Sequence, residues 1–274
     1  MKSLAIVLLL ATAGFAQAPA SASPAAPASA GASHLNQDPN ARKARALLEQ
    51  CIQALGGEAW LNAQDLQQEG RTYSYYQGQP NSLGTLFWRF WKWPDKERVE
   101  LTKQRDVVYI NNGDQGYEIT YKGTAREEAS QLEDYNRRRP YSLEIVLRQW
   151  LNQPGTILLY EGPATAERKP TESVTILNAK NQAVTLFLDA NTHLPVKKVF
   201  TWRDRDRYKN EEAEIFDNYR LVQGVMTPQS IVRAHNGEYV SQRFLHNTRY
   251  NQGLADSLFQ ATVTYDPYKS ERKK

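Results

Sequence analysis

The sequence predicts a mainly β domain, α+β in detail: a curled antiparallel half-barrel of about ten or eleven strands capped by helices. Three observations carry that expectation. From Leu66 onward, β-branched and aromatic residues recur with period two. Short turns rich in Gly, Asn and Asp divide these runs, and reversals so short can join only antiparallel neighbours. Two amphipathic helical stretches, one ahead of the strands and one among them, each have an apolar face to bury. A sheet of this length has to curl to cover its faces and limit its exposed edges.

The chain opens MKSLAIVLLLATAGFAQA: one lysine, an apolar run from Leu4 to Ala11, then small residues ending in Ala16-Gln17-Ala18. That is the pattern of a cleavable export signal, too short to cross a bilayer as a stable helix and followed by no stop-transfer pattern. Residues 1–18 are therefore expected to direct the protein to the periplasm and to be removed near Ala18. Residues 19–40 are almost entirely Ala, Ser, Pro and Gly, which bury too little apolar surface to offset the entropy of ordering. They read as a disordered tether. One domain is expected over 41–265, with a basic tail at 266–274. The sole cysteine, Cys51, excludes an internal disulfide and lies far from the cleavage point, where a lipid-anchored protein would need it.

In ARKARALLEQCIQALGG, Leu47, Leu48, Cys51, Ile52 and Leu55 share one helical face, and Gly56-Gly57 provides the stop. Cys51 is on that face and reads as core. Strand runs follow, with explicit reversals at 111–116, 178–182, 189–193, 222–225 and 235–238. The long interruption is 124–155, broken at Pro140, beyond which Leu143, Val146, Leu147 and Trp150 form one helical stripe.

The run LGTLFWRFWKW is apolar on both sides. Alternation sends Trp88 and Phe90 one way and Phe87, Trp91 and Trp93 the other. In the later hairpin, Val184, Leu186 and Leu188 share a side, Phe187 takes the opposite one, and Val196, Lys198, Phe200 and Trp202 align across the turn. Such surfaces make either a core or a cavity lined for a greasy ligand, and alternation does not say which side faces inward. The candidate lining residues are Trp88, Phe90, Trp91 and Tyr109 from the first strands, Leu147 and Trp150 from the helix, and Phe187, Phe200 and Trp202 from the hairpin.

Charge argues against nucleic acid as a partner. The pI is about 9.0. Of 34 Lys and Arg, Lys2 goes with the signal, leaving 33 against 30 Asp and Glu, interspersed except in the tail KSERKK. That tail is a candidate for transient contact with an anionic membrane surface. The four histidines, His34, His193, His235 and His246, have no metal-ligand spacing, and no nucleophile elbow, phosphate loop or dinucleotide fingerprint occurs. No catalytic residue, metal or cofactor is assigned. Glu212 and Glu214 share a strand side and could form an acid pair, but alternating charge beside a turn reads as a solvated edge.

Three stretches resemble a known family. LDANTHLPVKKVFTW, then EEAEIFDNYRLVQGVMTPQSI, then YNQGLADSLF, are similar to the hairpins in the second half of the LolA/LolB-like superfamily of exported proteins. The matching positions are Asp189, Leu194 and Pro195; Tyr219, Val222, Gly224, Val225 and Pro228; and Asp256 and Phe259, with the early Leu55-Gly56-Gly57 resembling the start of such chains. The resemblance implies a half-closed antiparallel barrel capped by helices around an apolar cavity, which in the carrier members holds lipoprotein acyl chains between two membranes. The expected function is that of a non-enzymatic, monomeric periplasmic carrier or binder of lipid or acyl chains. Two alternatives stand beside it: an envelope-stress sensor or interaction module with an envelope protein partner, and a periplasmic hydrolase.

Overall fold

The computed structural model describes residues 38–267; the signal, the tether up to residue 37 and the tail from 268 lie outside the described residues. Helix α1, Pro39–Leu55, begins two residues inside the stretch assigned to the tether. The reason is local: the Asp38 side chain accepts a hydrogen bond from the Asn40 backbone N–H, and Pro39 occupies the first turn, where its missing N–H costs nothing. A four-residue helix, α2 (Glu58–Leu61), follows the Gly56 stop.

Fourteen strands form one sheet. They are β1 (Asp65–Tyr76), β2 (Gln79–Pro80), β3 (Thr85–Lys92), β4 (Lys96–Leu101), β5 (Val107–Asn112), β6 (Gln115–Thr120) and β7 (Gly123–Arg126), then β8 (Ile157–Ala166), β9 (Lys169–Leu177), β10 (Ala183–Asp189), β11 (Pro195–Arg203), β12 (Lys209–Val222), β13 (Val225–His235) and β14 (Glu238–Tyr250). The count exceeds the expected ten or eleven partly because β2 has two residues and β7 four, too short for an alternating pattern to register. β7 overlaps the start of the interruption read over 124–155. All five short reversals read from the sequence are hairpin turns, joining β5 to β6, β9 to β10, β10 to β11, β12 to β13 and β13 to β14.

Strand order is β7-β6-β5-β4-β3-β1-β14-β13-β12-β11-β10-β9-β8, with β2 paired to β1 alone. Two meanders thus meet where β14 pairs with β1, and β7 and β8 are opposite edges of an unclosed, curled sheet. This order has a consequence for the interruption between them. The chain from 127 to 156 has to cross from one edge to the other, and it does so as α3 (Ala129–Arg138), a 3-10 turn at Arg139–Tyr141 around Pro140, α4 (Leu143–Arg148) and a second 3-10 turn at Trp150–Asn152.

The inner face, on which these helices lie, is packed at one end. Leu48, Cys51 and Leu55 of α1 and Val146 and Leu147 of α4 bury against Leu158, Val174, Ile176, Val184, Leu186 and Leu188 of β8 to β10. The core reading of Cys51 holds. Burial pushes its thiol far above the usual range.

The outer face of the aromatic strand is covered by the chain's own C-terminal segment. Phe90, Val108, Ile110 and Tyr117 form a second cluster with the fully buried Phe259, and Trp88 packs against it. The Asp65 carboxylate fastens this strap by accepting from the backbone N–H groups of Gln252 (2.6 Å), Gly253 (2.9 Å) and Leu254 (3.0 Å). Asp256 pairs with Lys92 at 2.7 Å and Lys96 at 3.1 Å.

The motif residues turn out to be structural ties. Asp189 Oδ1 accepts from the N–H groups of Asn191 and Thr192, closing the β10–β11 turn, and the Tyr219 hydroxyl donates to the Pro195 carbonyl at 2.8 Å, locking that hairpin to β12.

Candidate functional site

The other end of the inner face stays open. Beneath α3 lies a cavity of about 330 Å³, joined by a neighbouring one of about 540 Å³ along β4 and β5 and a smaller one of about 140 Å³ towards α4. One side chain, Arg243, lines all three.

Alternation decides what faces this space. On β3 the inward residues are Phe87, Arg89 and Trp91; on β4 they are Glu97, Val99 and Leu101, directly across in register. On the opposite side, Lys198 and Phe200 of β11 face Glu214 and Glu212 of β12, and Glu214 faces Arg233 of β13. The cavity is therefore amphipathic, where the family resemblance implied an apolar one. Phe87, Val99 and Leu101 form an apolar wall beside a charged floor.

In the cavity beneath α3, Arg89, Arg138, Arg139, Lys198, Arg233 and Arg243 stand against three carboxylates, Glu97, Glu212 and Glu214. Most are paired. Arg89 donates to Glu97 and, at 3.1 Å, to Gln68. Lys198 Nζ lies 2.6 Å from Glu214, and Glu212 lies 3.5 Å from Arg137, 3.6 Å from Arg233 and 3.3 Å from His235 Nδ1. Burial alone would raise the carboxyl of Glu214, but Lys198 outweighs it and holds the group at about 2. Burial likewise opposes the ionisation of Glu97, but Arg89 favours it more strongly and holds the carboxyl below its usual range. Burial, reinforced by neighbouring Arg89, brings Arg243 down to about 10. The reading of Glu212 and Glu214 as a solvated edge is overturned: β12 is an interior strand, and Glu212 is 4% exposed.

Helix α3 roofs the cavity with no buried residue of its own. Charge holds it in place. Asp134 pairs with Arg138 at 2.7 Å and with Arg137 inside the helix and reaches Arg233 of the sheet at 3.9 Å, while Arg137 lies 3.5 Å from Glu212 of β12. Glu133 reaches Arg205 at 2.9 Å and Arg139 reaches Asp114 at 3.0 Å, while the Arg137 guanidinium lies 3.8 Å from the Trp202 ring centre. The fit is incomplete: Asn136 Oδ1 and Arg137 Nε are buried without hydrogen-bond partners. At the far end of α3, Tyr141 is anchored by stacking on Phe200, ring centres 3.9 Å apart.

The structure separates the lining residues expected from sequence. Trp91 and Phe200 line the cavity beneath α3, and Tyr109 lines its neighbour, its hydroxyl donating to Glu118 at 3.1 Å. Burial, with Glu118 nearby, raises that phenol to about 12. Leu147 and Trp150 are core residues of the packed end, and Trp202 packs beside that core under Arg137. Trp88 and Phe90 are corrected as cavity residues, because their side of β3 is the outer one, beneath the strap. Phe187 is on the outer side too, opposite Ser173 and Lys197. The charged lining was missed, although Arg89 between Phe87 and Trp91, and Lys198 between Val196 and Phe200, interrupt apolar rows at inward positions. Among the described residues no group of three or more His, Cys, Asp and Glu could hold a metal ion, and no helix is long and apolar enough to cross a membrane.

No protein-family profile matches the chain, and no curated protein matches it in sequence. Solved structures do share its fold. A DUF1329 family protein from Desulfovibrio piger is 14% identical over 81% of this chain and 98% of that one, with a TM-score of 0.55. A domain named for outer membrane lipoprotein sorting, from Vibrio parahaemolyticus, is 11% identical over 80% of this chain and 97% of that one, with a TM-score of 0.52. A LolA superfamily protein from Nitrosomonas europaea has 14% identity over 80% and 97%, with a TM-score of 0.49. At such identities the likeness is one of fold.

Proposed function

We propose that this chain, which has the LolA-like fold, is a non-enzymatic periplasmic binder or carrier of a lipid-like amphiphile, held in the cavity between α3 and the sheet. One observation carries the reading: an apolar wall of Phe87, Val99 and Leu101 stands beside a charged floor under a roof helix that has no fully buried side chain. An acyl chain gains roughly 0.8 kcal/mol for each methylene moved from water onto such a wall, so affinity needs no covalent step. Carriage also needs release. Ion pairs attach α3, and the 3-10 turn around Pro140 separates it from the well-packed α4, so the roof can lift while the core stays intact.

The carboxylates support binding over catalysis. Glu97 and Glu214 are held ionised by Arg89 and Lys198, opposite to what a general acid requires. The test is organic extraction of purified protein followed by mass spectrometry, with displacement of a fluorescent fatty acyl probe. A co-purified amphiphile, and probe binding weakened by Val99→Asp, support the reading. Ligand-free protein that binds no acyl probe overturns it.

A further inference from the structure

The cations of the cavity are not equivalent. Arg89 is committed to Glu97 and Gln68, Lys198 to Glu214, Arg138 to Asp134 and Arg139 to Asp114. Arg233 reaches carboxylates only at 3.6 and 3.9 Å, beyond hydrogen-bonding distance. For Arg243, no described residue accepts a hydrogen bond from its guanidinium and none forms an ion pair with it. Yet it occupies the junction of the three cavities, facing Ile231 on one neighbouring strand and Thr72 on the other. A guanidinium has five donors, and Glu214 and Glu97 act on this one only through space, so its donors are left to the partly open cavity. Even at about 10, its pKa leaves it charged at neutral pH.

We propose that Arg243, with Arg233 beside it, is the recognition site for the anionic head, carboxylate or phosphate, of the bound amphiphile, whose tail lies along Phe87, Val99 and Leu101. This rests on the amphiphile-binding reading and adds to it the class of head group. The carboxylates on the floor cannot serve a cationic head equally well, because Glu97 and Glu214 already have their own cations. A planar guanidinium matches carboxylate and phosphate oxygens in a two-bond fork, which a neutral head cannot reproduce.

The test is calorimetric titration of the full chain with four probes: dodecanoate, dodecyl phosphate, dodecanol and inorganic phosphate. Wild type is expected to bind both anionic chains at least about tenfold more tightly than dodecanol. Arg243→Met should remove that preference, bringing dodecanoate and dodecyl phosphate to the level of dodecanol, and Arg243→Lys should keep part of it. Equal binding of dodecanol and dodecanoate by wild type overturns the head-group assignment and leaves the amphiphile reading standing. Inorganic phosphate bound as tightly as dodecyl phosphate supports the arginine site but overturns the tail. Failure of all three chains overturns the amphiphile reading itself. Anion preference retained by a folded Arg243→Met overturns the assignment to Arg243, and Arg243→Lys, which keeps the charge but not the fork, decides the matter should the Met variant misfold.

Discussion

Lys198 Nζ lies 2.6 Å from Glu214 Oε2 across two neighbouring inner-face strands, with the lysine side chain only 3% exposed. Burial of this kind makes the lysine depend on its partner, since without Glu214 the ammonium would be a charge cut off from solvent. Glu214→Gln is therefore expected to destabilise the fold by about 3 kcal/mol in urea denaturation at neutral pH. The carboxyl is held at about 2 against an ordinary 4.5. Its contribution is complete above pH 4.5 and is lost as pH falls towards 2, because the unfolded chain takes up the proton first. The variant should show a shallower loss of stability across that acid window, measured as denaturation midpoints at steps of pH.

The roof should respond to salt while the core does not. Ion pairs from α3 and the turn after it to Glu212, Arg205, Arg233 and Asp114, rather than buried side chains, secure the roof, and raising salt to about 1 M shortens the screening length to about 3 Å. Amide exchange over 129–138 is expected to rise, with α1 unchanged. Asp134→Asn should reproduce the effect at low salt, since Asp134 is shared by Arg137, Arg138 and Arg233. Exchange that is equal in low and high salt would show the roof to be held by something else.

Asp65 fastens the strap through three backbone N–H groups. Replacing it with Ala leaves those donors without their charged acceptor and is expected to cost about 2 kcal/mol. Trp88 and the cluster around Phe259 should gain solvent access, read as a red-shifted tryptophan emission and faster exchange over 252–259. Affinity for an acyl probe should hold, because the strap covers the face away from the cavity.

Gly56 joins α1 to the β12–β13 turn at a φ of 129°, and a Cβ there would sit 2.3 Å from the Gly224 carbonyl oxygen. Backbone, not a flexible side chain, is in the way. Gly56→Ala should cost about 2 kcal/mol by combining a disfavoured conformation with that clash. Thermal melting measures it, and Gly237→Ala, a positive-φ glycine with open space around its Cβ, serves as the milder control.

Periodicity by itself determined much of this protein: the helix face of α1 with Cys51, the five short hairpins, the break at Pro140 and the two-sided aromatic strand. Each is local, set within a few residues by alternation, turn chemistry or a missing N–H. Strand order is not local. Only the folded sheet placed β7 and β8 on opposite edges, which sends the intervening helices across the inner face and makes α3 a roof. Only the curl decided which side of β3 was inside, moving Trp88 and Phe90 beneath the strap and Arg89 to the cavity. Charges scattered through the sequence from Arg89 to Arg243 become one floor because six strands bring them together, and pairing at that distance along the chain leaves no periodic trace.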